Sequence, residues 1–345
     1  MPPTPPATAA AERRRAACFA ELALGTDRFH APRRADCPWC GSARLLTRFT
    51  APDLLQHKPG TFTLDECRDC GHTFLNPPLS PEGLAFHHRY PHDPRPSRRR
   101  LRAAARALLP FPEPESWLDV GTGEAHFPQA ARELFPYTAF DGVDPTHRVL
   151  RAREAGHIEE AYVGHLAAPD LTARLRARYD VVSLLHHLDR TPAPRAELRA
   201  AVLALRPGGH LLLEAPDPQC AFARLLGKWW LPHTLPRHLH LIPLDNLRRE
   251  LESHGCTIVT ADHHPAHRPH DLSTALSLAL SHVLPDPDTP WRPTAPTPLQ
   301  RTVRTTFRCA ALPLTAAAGA ADHTLAPLFR RTRFANAYRI IARRT

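Results

Sequence analysis

Four cysteines fall in two matched pairs, Cys37-Pro38-Trp39-Cys40-Gly41 and Cys67-Arg68-Asp69-Cys70-Gly71, with 26 residues between Cys40 and Cys67. Two residues between thiolates let each pair grip one ion from a tight turn, and the glycine that follows lets backbone amides face the sulfurs. Four thiolates make a closed tetrahedral Zn2+ site, with Zn–S near ~2.3 Å and no open position for chemistry, so the expected role of the zinc is structural. A redox pair or disulfides are the other readings of paired Cys-x-x-Cys, and they suit a chain in an oxidising compartment. Cys18, Cys220, Cys256 and Cys309 have no metal spacing and read as small apolar residues.

A second constellation lies in Trp117-Leu118-Asp119-Val120-Gly121-Thr122-Gly123-Glu124-Ala125-His126-Phe127. An apolar strand ends in an acid, and two glycines let the backbone turn sharply and approach a ligand without Cβ clashes before a helix expected over Phe127 to Leu134. The next strand, Tyr137–Val143, leads to Asp144, which lies 21 residues after Gly123. That is near the ~20 residues expected for an acid that grips ribose hydroxyls. A dinucleotide site wants a third glycine where this chain has Ala125, and no phosphate-gripping lysine follows, which also excludes a P-loop.

With Tyr179-Asp180-Val181-Val182-Ser183-Leu184-Leu185-His186 and the turn Arg206-Pro207-Gly208-Gly209 before a further strand, the four ordered motifs resemble class I S-adenosylmethionine-dependent methyltransferases. The resemblance covers roughly residues 36–260, with a last strand at Ala337–Arg343. It implies an α/β fold, a Rossmann-like doubly wound and mostly parallel sheet, and S-adenosylmethionine as cofactor. It places Asp119, Gly121 and Gly123 against the methionine part of the cofactor, Asp144 on the ribose, and Leu184, Leu185 and His186 beside the sulfonium methyl. His238, in Pro236-Arg237-His238-Leu239-His240, matches a histidine often seen before the next helix of the family, with His240 as its competitor. Two positions depart from the pattern: His165 stands where an adenine-binding acid is common, and Asp189-Arg190 where many relatives carry Glu-His.

Methyl transfer needs an aligned acceptor, a fairly dry pocket and, for O or C acceptors, a base. Histidine is best suited near neutral pH, which makes His186 and His238 the candidate catalytic residues. The expected substrate is a small or carrier-bound acceptor of a biosynthetic pathway. Ribosomal or transfer RNA is the alternative, favoured by a basic front module, as is a scaffold with a decayed cofactor pocket.

The elements that must position these groups divide the 345 residues into five stretches. Residues 1–30 read as a disordered, basic N-terminus, 31–90 as the zinc ribbon and its connector, 97–264 as the cofactor-binding core, 265–334 as a helical, proline-rich insertion, and 335–345 as the final strand of the core. Pro91–Pro96 reads as a linker. Short strands are expected at Leu45–Phe49 and Phe62–Leu64, a basic helix at Ser97–Leu109, and a helix at Leu244–His254 before a strand at Thr257–Ala261.

The insertion is too long for an idle connection and is expected to cap the acceptor side or to contact a second copy or a membrane surface. Net charge is +10, and residues 1–110 carry 17 basic against 10 acidic residues, or +7, which favours anionic partners. Only Lys58 and Lys228 are lysines. No apolar run is long and uninterrupted enough to span a membrane, and residues 1–11 lack the charge and apolar core of a secretory signal, so a cytoplasmic protein is expected.

Overall fold

The computed structural model describes residues 6–89 and 97–345. In chain order the strands are β1 (Leu45–Pro52), β2 (Thr61–Cys67), β3 (Thr73–Leu75), β4 (Ser116–Val120), β5 (Ala139–Asp144), β6 (Ala161–Val163), β7 (Tyr179–Leu185), β8 (Leu205–Pro216), β9 (His240–Leu241), β10 (Cys256–Asp262) and β11 (Ala337–Arg344). Seven form one sheet in the order β10-β11-β8-β7-β4-β5-β6, and β1-β2-β3-β9 form a second, antiparallel sheet. From β8 to β6 the main sheet is parallel, while β11 runs antiparallel to both β8 and β10.

Alternation along the strands shows why helices cover both faces. Leu118, Val182, Leu184, Leu211, Leu213 and Ile340 point into one core cluster, and Trp117, Val181, Leu212 and Ile341 point into another. Side chains two apart share a face, so a strand apolar at consecutive positions must be buried on both sides. The expected doubly wound α/β sheet is present, with its closest turns at the carboxyl ends of β4 and β5, where ligands of open α/β sheets bind.

The front module does not stand apart from the core. Phe74 and Thr73 of β3 pair with His240 and Leu241 of β9, a piece of the core chain, and Cys37, Trp39, Cys67 and Phe74 lie in the same apolar cluster as the main sheet. Arg195 adds a clamp: it pairs with Glu250 at 2.8 Å, donates to the Trp39 carbonyl at 3.1 Å and lies over the Trp39 ring.

Pro6–Leu22 forms a helix where disorder was expected, because distant groups hold it: Arg15 donates to Asp288 and to the Arg292 carbonyl at 2.7 Å, and Glu21 pairs with Arg89 at 2.8 Å. The linker expected at Pro91–Pro96 lies outside the described residues. Within 265–334 three helices follow one another, Asp271–Val283, Pro298–Ala310 and Leu312–Phe329.

Candidate functional site

Asp119 is the penultimate residue of β4 and pairs with Gly142, two residues before Asp144 at the end of the neighbouring β5. Asp144 Oδ2 accepts from Gly123 N at 2.9 Å, and Oδ1 accepts from Thr146 N at 2.8 Å and Thr146 Oγ1 at 2.5 Å. The second carboxylate therefore holds the glycine turn in place. Gly121 and Gly123 have φ of +78° and +55°. A Cβ on Gly121 would collide with His187 Nδ1, whereas one on Gly123 would project into open space. One glycine is thus required by its neighbour, and the other leaves room for a ligand.

Asp119 is buried, and its Oδ1 accepts from Ser183 Oγ at 2.6 Å, itself an acceptor for Trp117 Nε1 at 3.0 Å. Burial pushes the Asp119 carboxyl up to about 6 against the pull of the Ser183 hydrogen bond. A carboxylate held this way gains from a cationic or N–H-bearing ligand. S-adenosylmethionine offers both an ammonium and a sulfonium, so the residues present fit that cofactor. Leu184 is wholly buried in the core, and Leu185 is half-buried at the end of β7. His165 follows β6 with a buried Nδ1 that has no hydrogen bond, while Asp170 is exposed in the first turn of helix Pro169–Arg174.

His186 is the residue after β7 and sits in the left-handed region at φ +54°. Its backbone N–H donates to the Glu214 carbonyl at 2.8 Å, and its Nε2 lies 3.7 Å from Glu214 Oε2, beyond hydrogen-bonding distance. Burial and the nearby Arg268 hold its pKa below the usual histidine range. Glu214 is itself paired with Arg339 at 2.6 Å; burial would raise its pKa, but His186, Arg339 and Arg268 together bring it down to about 2.

His238 lies close to the same place, its Nε2 3.4 Å from Asp189 Oδ2. Burial, with Arg190 and Arg237 near, keeps it well below the usual histidine range. The Asp189 carbonyl accepts from Leu239 N at 2.7 Å and His240 N at 3.2 Å, which fixes the His238 segment against the loop after β7. His240 instead packs against the four-cysteine module: its Nδ1 is 3.2 Å from His72 Nε2, and His72 Nδ1 is 3.7 Å from Cys37 Sγ.

The four cysteine sulfurs lie within 4.8 Å of one another, with Cys37–Cys70 at 3.7 Å and Cys40–Cys67 at 3.5 Å. A tetrahedral site with ~2.3 Å Zn–S bonds has sulfur–sulfur edges of about 3.8 Å, so the donor set fits zinc in both chemistry and spacing. Gly41 N and Gly71 N close matching turns onto the carbonyls of Cys37 and Cys67 at 2.9 Å.

A family described as "Methyltransferase domain" matches residues 86–261, just over half of the chain. The chain belongs to this methyltransferase family. A curated relative, the ubiquinone biosynthesis O-methyltransferase of Ralstonia nicotianae, is 29% identical over 105 residues, which is 29% of this chain and 44% of that enzyme, so the chain spans less than half the length of this relative. Among solved structures, an S-adenosylmethionine-dependent methyltransferase from Archaeoglobus fulgidus has a TM-score of 0.45 at 15% identity, covering 76% of this chain and 99% of that one. The [4+2]-cyclase SpnF has a TM-score of 0.43 at 16% identity, covering 71% and 80%. The chain joins this family's domain, on a seven-stranded and mostly parallel α/β sheet, to a four-cysteine module. Among the described residues no helix is long and apolar enough to cross a membrane.

Asp189, Glu214, Arg339 and Arg268 were not singled out by sequence reasoning as site residues. For Glu214 and Arg339 a signal existed: each is a charge inside an apolar strand, and the two face each other in the β8–β11 register.

Proposed function

We propose that the methyltransferase seats S-adenosylmethionine on Asp119, Gly121, Gly123 and Asp144, with Leu185 and the backbone of Leu184 closing the methyl side, and methylates an O, C or N atom of a small or carrier-bound biosynthetic acceptor. When bound, the cofactor supplies an electrophilic methyl group on a positively charged sulfur. Asp119 meets its ammonium, Asp144 its ribose hydroxyls, and His165 Nδ1 its adenine edge.

The observation that carries this reading is His186: a non-glycine residue held at φ +54° at a strand end, with a buried Nε2 that has no hydrogen-bond partner. Backbone strain and an unpaired polar atom persist where surrounding structure imposes them, and they cluster at sites of function. Because its pKa is lowered, His186 is neutral near pH 7 and is free to take the acceptor's proton as the acceptor attacks the methyl carbon. Glu214, 3.7 Å away, stabilises the imidazolium that results. His238, oriented by Asp189, is the second base candidate and lines the acceptor side.

Arg268 supports an acceptor with an anionic group. Its backbone is clamped by Asn336, which accepts from Arg268 N at 2.8 Å and donates to Arg268 O at 2.7 Å. Its guanidinium makes no hydrogen bond or ion pair among the described residues, although Glu214, Arg100 and Asp189 are near enough to influence it. Five fixed N–H donors suit a carboxylate or phosphate.

Titration calorimetry with S-adenosylmethionine, followed by labelled-methyl transfer into fractionated cell extract, tests the proposal. His186→Gln should keep cofactor affinity and lose about 100-fold or more in turnover, the usual range for a general base. Failure of the wild-type chain to bind cofactor would remove the reading.

One observation favours RNA as the acceptor. A groove of about 330 Å³ between the zinc module and the segment after β8 is lined by Arg48, Arg224, Lys228 and His233. Salt-sensitive retention of RNA by the full chain would support that reading, and indifference to RNA at low salt would remove it.

A further inference from the structure

Helix Pro298–Ala310 is mounted with its polar face toward the protein. Leu299, Val303 and Phe307 recur every four residues and form one face, while Arg301, Arg304 and Arg308 form the opposite one. The arginine face makes the attachments: Arg304 donates to the Pro285 carbonyl at 2.5 Å and to Ser281 Oγ at 3.1 Å, and Arg301 pairs with Asp288 at 3.1 Å. The apolar face is left outward, with Leu299 72% and Phe307 60% exposed, and the helix has no buried residue.

The helix that follows, Leu312–Phe329, has the same character. It buries Asp322, which accepts from Leu272 N, Ser273 N and Ser273 Oγ and so holds the helix against Asp271–Val283. Its outer stripe is Leu314, Leu325 and Leu328, at 58%, 40% and 59% exposed.

We propose that this hairpin docks the methyltransferase on an anionic lipid surface. Charge selects the occupant. Residues 298–333 contain six arginines, and Asp322, already buried and bonded, is the sole acid among them. Arg331 and Arg333 remain exposed just past the Leu325–Leu328 end of the second helix. A second copy would bring the same cations against each other with no exposed carboxylate in these helices to meet them. A bilayer of acidic lipids offers negative headgroups for the arginines and acyl boundary for the apolar stripes, the two contributions that hold interfacial helices. Neither helix spans the bilayer; both lie in its surface.

The test is co-sedimentation of the full chain with vesicles of phosphatidylcholine alone and of phosphatidylcholine mixed equally with phosphatidylglycerol. The expected result is retention on the mixed vesicles, release by high salt and little retention on the neutral ones. Leu299→Ser with Phe307→Ser should weaken retention at least tenfold, and so should Arg331→Glu with Arg333→Glu. Both pairs should leave the melting temperature and S-adenosylmethionine binding unchanged, which separates this inference from the proposed function. Wild-type protein that stays in the supernatant with the acidic vesicles would overturn it. A wild-type dimer in light scattering that the apolar pair converts to a monomer would also overturn it, in favour of a second copy.

Discussion

Phe74 in the four-cysteine module is 1% exposed and shares an apolar cluster with Leu118 and Tyr338 of the main sheet, whereas Phe307 in the insertion is 60% exposed and touches no core. Both regions are additions to the same methyltransferase sheet. The module brings no large core of its own, so it borrows one: its β3 recruits β9 from the core chain, and Arg195 and Asn246 reach back to the carbonyls of Trp39 and Cys70. The insertion instead spends its buried contacts at its base, where Trp230 donates to Asp271 at 2.8 Å and Asp322 caps the neighbouring helix, and leaves its far side apolar and open. The lesson is that the module is built as part of the fold, while the hairpin is built to meet something else.

If the four cysteines hold zinc, as their spacing fits, its removal should give the largest effect in breaking that contrast. Structural zinc contributes on the order of 10 kcal/mol to folding in isolated finger peptides. Because the module shares the core, chelation or Cys67→Ser should lower the melting temperature of the whole chain by about 10 °C or more, read by calorimetry beside zinc analysis. A zinc-depleted protein that melts unchanged would show the module to be separable. Phe74→Ala comes next and should cost about 3–5 kcal/mol, the usual loss for a fully buried phenylalanine, measured by denaturant unfolding.

Glu214→Gln should cost about as much, roughly 3–5 kcal/mol, because it leaves Arg339 buried without its partner. Its pH signature is specific. The Glu214 carboxyl is held down to about 2, so its stabilisation is complete above the ordinary glutamate value near ~4.3 and is lost as pH falls from there toward 2. Acid titration followed by near-ultraviolet circular dichroism should therefore show a shallower decline over that window in the variant.

At the cofactor end the expected effects are smaller. Asp144→Ala removes a proposed ribose contact together with the acceptor that fixes Gly123 and Thr146, and should weaken S-adenosylmethionine binding by about 10–100-fold, or about 1.4–2.8 kcal/mol, by titration calorimetry. In the wild type, affinity should rise as pH passes upward through about 6, where Asp119 ionises and can meet a cation. Asp119→Asn should flatten that profile.

What could be read from the sequence was what is local in the chain. The Cys-x-x-Cys pairs, the Asp119–Gly123 turn and the apolar runs of β4, β5 and β7 each carry their physical reason within a few residues. What was missed depends on distant partners. The helix Pro6–Leu22 rests on Arg15 reaching Asp288, 273 residues away, and the Glu214–Arg339 pair spans 125 residues. β9 is two residues long and has no strand signal without β3 beside it. Likewise Asp189 could be named in the sequence as a departure from the usual Glu-His, but only the fold brings it to His238.

Phe307→Ala is the smallest expected effect and the one that sharpens the comparison most. An exposed side chain loses little hydrophobic burial on truncation, so stability should move by less than about 0.5 kcal/mol, against the several expected for Phe74→Ala. The same residue type truncated in the same way then reports only on where each ring sits. If Phe307→Ala instead destabilised the isolated protein by more than about 1 kcal/mol, the ring would be packed in solution. The outward face of helix Pro298–Ala310 would then be covered by its own chain, leaving no apolar stripe to offer a lipid surface.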